Sequence, residues 1–184
     1  MAAGAQAGFA LIVDNYVEHA GVTNWITFGD IAAWGTNYLD RASTTEYLQF
    51  SNTHETAAYF HAFTDVIGAP LNGNLHNYVL KFTKKRLPAT TRFWSVTAYL
   101  PDSITLVPNT ANKYLVASYT PNLVQGPNGA IAIYISVNPP TDPTLMANWL
   151  PVPSGPFNVI LRDYGPTGTV LSGDYTPPAI TRAP

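Results

Sequence analysis

Arg92-Phe93-Trp94-Ser95-Val96-Thr97-Ala98-Tyr99 decides how the rest of this sequence is read. Trp94, Val96 and Ala98 fall on one side of an extended chain, and Phe93, Ser95, Thr97 and Tyr99 on the other. Period-two alternation of this kind predicts a strand with two unlike faces. The pattern recurs on both sides. Tyr78, Leu80 and Phe82 share a face, as do Ile131, Ile133, Ile135 and Val137, and Phe157, Val159 and Leu161. Turn residues separate these runs: Pro70-Leu71-Asn72-Gly73, Pro127-Asn128-Gly129, Pro139-Pro140, Gly165-Pro166 and Pro177-Pro178. Asn128-Gly129 suits positive φ and is expected to turn the chain into the strand beginning near 130. Asp142-Pro143 opens a short capped helix, with proline at its first position.

Seven or eight short strands with sixteen prolines among them predict a mainly β domain. The expected architecture is an antiparallel, jelly-roll-like β-sandwich over residues 55–184. An immunoglobulin-like sandwich is the alternative, and a parallel sheet is disfavoured because helix-length crossovers are missing. Residues 1–54 read as an N-terminal helical segment. Phe9, Ile12, Val13, Tyr16 and Val17 recur at helical spacing, and Ile31, Trp34, Tyr38 and Leu39 do so after Asp30, which is placed to cap a second helix.

Composition narrows the function. Of 184 residues only 11% are charged, and the net charge is −2, which offers no field to hold nucleic acid or an anionic membrane. No apolar run approaches the ~20 residues of a membrane span. The first residues lack the positive region of a secretory signal peptide, so none is read, and the compartment stays unknown. With no cysteine there is no disulfide, thiolate metal site or cysteine nucleophile. His19, His54, His61 and His76 follow no metal-ligand spacing, and Asn72 to Asn77 lacks the carboxylates of a tight calcium loop. No metal and no cofactor is therefore expected.

Several residues are candidates for chemistry. His61 and Asp65 are four apart, on one side of a continuous strand together with Tyr59. An imidazole oriented by that carboxylate could act on Ser95 as nucleophile. Asp65 with Asp163 or Asp102 is the carboxylate pair a glycosidase would need. Arg162, one of five arginines, demands an anionic partner, in this chain or on a ligand. Tyr59, Phe93, Thr97, Tyr99 and Tyr164 supply aromatic rings and hydroxyls for a sheet face that stacks on a sugar. The competing reading of that face is packing against the helical segment or a second subunit.

Six ordered blocks resemble one family. Tyr59-Phe60-His61-Ala62-Phe63-Thr64-Asp65 with Pro70-Leu71-Asn72-Gly73 is similar to the opening of the DUF1214 domain. Arg92 to Tyr99 resembles its central strand. Leu106-Val107-Pro108-Asn109 and Asn112-Lys113-Tyr114 resemble its LVxNxxNRY stretch, with lysine for the usual arginine. Asn148-Trp149-Leu150-Pro151, Arg162-Asp163-Tyr164-Gly165-Pro166 and Pro177-Pro178-Ala179-Ile180-Thr181-Arg182 resemble its closing segments, although Asp163 stands where the family usually has leucine. The resemblance runs over about residues 35–183. It implies a jelly-roll-like fold and no agreed catalytic residue. It also implies a DUF1254 half before this domain; here residues 30–58 resemble only the linker between the halves, and that half is expected to be lacking.

Three functions follow as expectations. The first is a non-enzymatic module that self-associates, or meets a DUF1254-like partner, and binds a glycan-like ligand. The second is a small hydrolase of a glycan, amide or ester using His61, Asp65, Ser95 and Arg162. The third is a virion or surface structural protein.

Overall fold

The computed structural model describes residues 2–102 and 104–183. Two helices come first, α1 (Ala2–Glu18) and α2 (Tyr38–Tyr47). Eight strands follow: β1 (Ala57–Ala62), β2 (Tyr78–Phe82), β3 (Thr90–Tyr99), β4 (Leu115–Ala117), β5 (Ile131–Ser136), β6 (Trp149–Pro151), β7 (Asn158–Pro166) and β8 (Ile180–Arg182), with a four-residue helix, α3 (Gly168–Leu171), before the last. The molecule is mainly β, with the helical segment in front.

The strands form two four-stranded sheets, in the orders β1-β7-β3-β4 and β6-β5-β2-β8. Their inward side chains make one core: Phe60, Trp94, Val96, Val159 and Leu161 from the first sheet, and Tyr78, Leu80, Phe82, Ile133 and Ile135 from the second. The alternation read in β2, β3, β5 and β7 is thus the alternation of burial. Burying one large apolar side chain contributes roughly 1.5–3 kcal/mol, and this cluster supplies most of what holds the sheets.

A second core lies on the other side of the first sheet. Tyr16, Ile26, Phe28, Ile31 and Leu48 of the lead-in pack on Ala57, Tyr59 and Ile160. Ile26 also pairs with His61 through two backbone bonds of 2.8 and 2.9 Å, extending the β1 edge. The lead-in therefore covers one end of the sheet's outward face and satisfies one strand edge.

Local structure departs from expectation at three points. The segment after Asp30 is a series of turns, with Ala32 in the left-handed region at φ 58°; the helix starts at Tyr38, and its cap is Asn37, whose side chain accepts from the Asp40 amide. Asparagine and aspartate cap equally well, so composition did not separate them. The sheets are not wholly antiparallel, because β5 and β6 pair in parallel. The chain between them makes a 3-10 turn, Pro143–Asn148, capped by Asp142 as expected, and crosses over rather than doubling back. β1 ends at Ala62, so Asp65 is not on its face. Asn128 and Gly129 do adopt positive φ, 59° and 71°, at the entry to β5.

Candidate functional site

Register brings the outward residues of the first sheet into rows. Tyr59, Arg162 and Ser95 lie directly opposite one another on β1, β7 and β3. The next row along is His61, Ile160 and Thr97, and on the other side lie Ala57, Tyr164 and Phe93. Asn158 and Tyr99 close the far end. Every ligand-face candidate read from the sequence, Tyr59, Phe93, Thr97, Tyr99 and Tyr164, sits on this one surface around Arg162.

Arg162 is half-buried at its centre. Its guanidinium carbon lies 5.4 Å from the Tyr99 ring centroid and 6.0 Å from that of Tyr59, within reach of a cation–π attraction. Among the described residues no carboxylate is within ion-pair distance of it, and none of their hydrogen bonds involves its guanidinium. The Tyr59 ring is held by Asn52, whose amide groups donate to its hydroxyl at 2.9 and 3.1 Å. Phe93 stacks on Tyr164 with centroids 4.5 Å apart and meets Tyr119 edge-on at 5.2 Å. Burial pushes the Tyr164 hydroxyl above its ordinary pKa, against a downward pull from Arg162, so it stays a neutral donor. Tyr59, Ser95 and Thr97 are buried in this face, so what it presents outward is one half-buried positive charge and the half-buried rings of Phe93, Tyr99 and Tyr164.

His61 is spoken for. It is fully buried, with Nδ1 2.8 Å from the Tyr16 hydroxyl and Nε2 2.8 Å from Oδ1 of Asn158. The Asn158 amide nitrogen donates to the Leu100 carbonyl, which fixes its oxygen toward the ring. Nε2 must then carry the proton, and Nδ1 accepts from Tyr16. Burial, and secondarily the charge of Arg162, push His61 down to about 3 against the Asn158 hydrogen bond. This ring is a neutral structural link between lead-in and sheet.

Asp65 is likewise occupied. Its carboxylate accepts from Arg182 Nε at 2.7 Å and from the Ala69 and Ile67 amides at 3.0 and 3.1 Å. Burial pushes its pKa up, but Arg182 and the two amides together outweigh that and hold it below the usual range. The expected His61–Asp65 pair is therefore not made, and Ser95 has neither as its base. Asp163 points to the opposite side of β7, in register with Ala58 and Trp94 of the inner core. Among the described residues neither of its oxygens has a hydrogen-bond partner, nor does Nδ1 of His54. The nearby Thr90 hydroxyl donates to the Tyr164 carbonyl instead. Burial pushes Asp163 up to about 6, against smaller pulls from Thr90 and His54. Asp65 and Asp163 thus lie in separate settings and share no cleft wall with Arg162.

Tyr16, Asn158 and Tyr119 belong to this region; Tyr16 was legible only as part of a helix's apolar face, and Asn158 and Tyr119 had no signal in the sequence. Each is an ordinary residue in an unremarkable stretch, and only long-range pairing gives it a role. Among the described residues no group of three or more histidine or acidic side chains could hold a metal ion, and no helix is long and apolar enough to cross a membrane.

Comparison with known proteins gives a family and a fold. The family model for DUF1214, described as a protein of unknown function, matches residues 56–168, within the 35–183 over which the resemblance was read. No curated protein matches. Among solved structures, the VPA0106 protein of Vibrio parahaemolyticus is similar with 27% identity and a TM-score of 0.69, over 98% of this chain and 44% of that one. An uncharacterised protein of Burkholderia cenocepacia is similar with 14% identity and a TM-score of 0.46, over 96% of this chain and 39% of that one. The chain thus spans less than half the length of either.

Proposed function

The chain belongs to the DUF1214 family, and on that premise we propose that it is a non-enzymatic binding module whose Arg162 face takes an acidic, glycan-like ligand. One observation carries this reading: a half-buried guanidinium between Tyr59 and Tyr99 with no carboxylate partner among the described residues. Partial burial of a cation is costly, and a ligand carboxylate would offset that cost with a charge-assisted bidentate contact. Tyr99, Tyr164 and Phe93, each half-buried, supply the ring faces on which pyranose rings stack. The hydrolase reading loses support because His61 and Asp65 are each committed to other partners.

We read the two sheets as a jelly-roll-like sandwich, with this face on the outward side of the first sheet. We also propose that the module self-associates through its lead-in. The supporting observation is that α1 leaves Phe9, Leu11 and Val17 exposed and α2 leaves Tyr38 and Leu39 exposed. Light scattering at micromolar concentration is expected to give a dimer or larger; a clean monomer refutes this part alone.

The ligand reading is tested by calorimetric titration with trigalacturonate and with neutral galactotriose. The acidic sugar is expected to bind with a Kd of roughly 10–1,000 μM, and Arg162→Gln to weaken it at least about tenfold. Among the described residues Arg162 makes no hydrogen bond that this change would orphan, so the fold is expected to survive. Equal binding of both sugars, or no change in Arg162→Gln, would sink the proposal.

A further inference from the structure

The lead-in carries a second feature unrelated to the Arg162 face. An open cavity of about 730 Å³ lies beside the C-terminal half of α2, lined by Ala32, Trp34, Arg41, Thr44, Leu48 and Phe50 among others. Its size is that of a small-molecule site.

Three observations converge on it. The first is backbone strain. Six non-glycine residues among those described have positive φ; four are asparagines, which tolerate it, and the other two are Ala32 at 58° and Phe50 at 63°. Both line this cavity. An aromatic residue in the left-handed region is a costly arrangement, and such arrangements concentrate where a ligand is held. The Phe50 side chain is also 97% exposed, so no packing of its own explains the conformation. The second is an orphaned polar group. Thr44 is 2% exposed, and its hydroxyl is sealed beneath the cavity wall with no hydrogen-bond partner among the described residues. The third is charge. Arg41 stands exposed at the wall, and among the described residues no acidic side chain pairs with it.

From these we infer that the Trp34–Arg41–Thr44–Phe50 cavity is a binding site for a small amphipathic monocarboxylate, with an aryl or alkyl body. The carboxylate sits on Arg41, at the wall that covers the Thr44 hydroxyl. The apolar body lies along Trp34 and Leu48, and the Phe50 ring closes over it. One cation and otherwise uncharged walls select a single negative charge rather than a polyanion, which separates this site from a phosphate cradle.

The test is an NMR titration of the full chain with 4-phenylbutyrate and, in parallel, with 4-phenyl-1-butanol. Backbone amides at 32–34, 41–45 and 48–51 are expected to shift with the acid, with a submillimolar Kd, and the alcohol to bind at least about tenfold more weakly. Arg41→Gln, at an exposed position, is expected to weaken the acid at least about tenfold. Arg162→Gln is expected to leave it unchanged. Phe50→Gly is expected to raise Tm while weakening binding, because glycine accepts the conformation freely and has no ring to close. No shift up to about 10 mM acid, equal binding of acid and alcohol, wild-type affinity in Arg41→Gln, or a Phe50→Gly protein of lower Tm and unchanged affinity overturns the inference.

Discussion

Replacing Asp163 with leucine is expected to stabilise the protein, and to do so in a pH-dependent way. Asp163 is fully buried on the inner face of β7, with neither oxygen hydrogen-bonded among the described residues. Burial raises it from 3.8 to about 6. The folded state thus holds its proton more tightly than the unfolded chain. The corresponding stability is fully present below the unfolded pKa of 3.8 and is lost as pH rises through about 6. At one unit per 1.36 kcal/mol, the charged carboxylate costs about 3 kcal/mol at neutral pH, or about 2 after solvent screening. Leucine carries no such cost. Urea denaturation of both proteins near pH 4 and pH 7.5 isolates it: a constant packing difference shifts both values equally, and only the charge changes the difference. The variant's advantage is expected to grow by about 2 kcal/mol between the two conditions, which is roughly 4–8 °C in Tm. An advantage equal at both pH values, or one that shrinks as pH rises, would refute the reasoning.

Other perturbations follow from the same geometry. His61 behaves oppositely to Asp163: its folded pKa of about 3 lies below the unfolded 6.5, so stability is expected to fall as pH drops from 6.5 toward 3, by up to about 1.4 kcal/mol per unit. Replacing His61 with glutamine is expected to flatten that slope in acid denaturation, whatever it does to stability at pH 7.5. Asp65→Asn breaks the contact to Arg182 and weakens two amide contacts, and is expected to cost about 3 kcal/mol in chemical denaturation. Gly73→Ala places a Cβ 2.2 Å from the Pro153 carbonyl oxygen and 3.1 Å from Val137 and Val152, so it is expected to cost about 1–3 kcal/mol; an unchanged Tm would contradict the packing described at that turn.

The strands were legible because burial imprints a period of two. Trp94, Val96 and Ala98 could be assigned to a core and Ser95 and Thr97 to the other face without knowing what either face met. The site was legible only in part. Arg162, Tyr59 and Ser95 were each singled out, but their alignment in one row depends on pairing between residues 103 and 67 positions apart, which no local pattern encodes. The His61–Asp65 spacing misled because it assumed a strand running through 65, whereas β1 ends at Ala62. The partners that keep His61 neutral, Tyr16 and Asn158, lie 45 residues before it and 97 after it. The parallel β5–β6 pair was hidden by its connection, in which prolines suggested a turn back rather than a crossover. The strained backbone at Ala32 and Phe50 left no trace, since neither residue type signals positive φ.

The most direct trial of the central claim is an amide-resolved NMR titration of the protein with trigalacturonate at low salt. A ligand seated on the Arg162 guanidinium moves the amides of Tyr59, Phe93 to Tyr99 and Arg162 to Tyr164 together, saturably, and not in Arg162→Gln. Shifts gathered on the helical lead-in, or none at all at millimolar sugar, would contradict it.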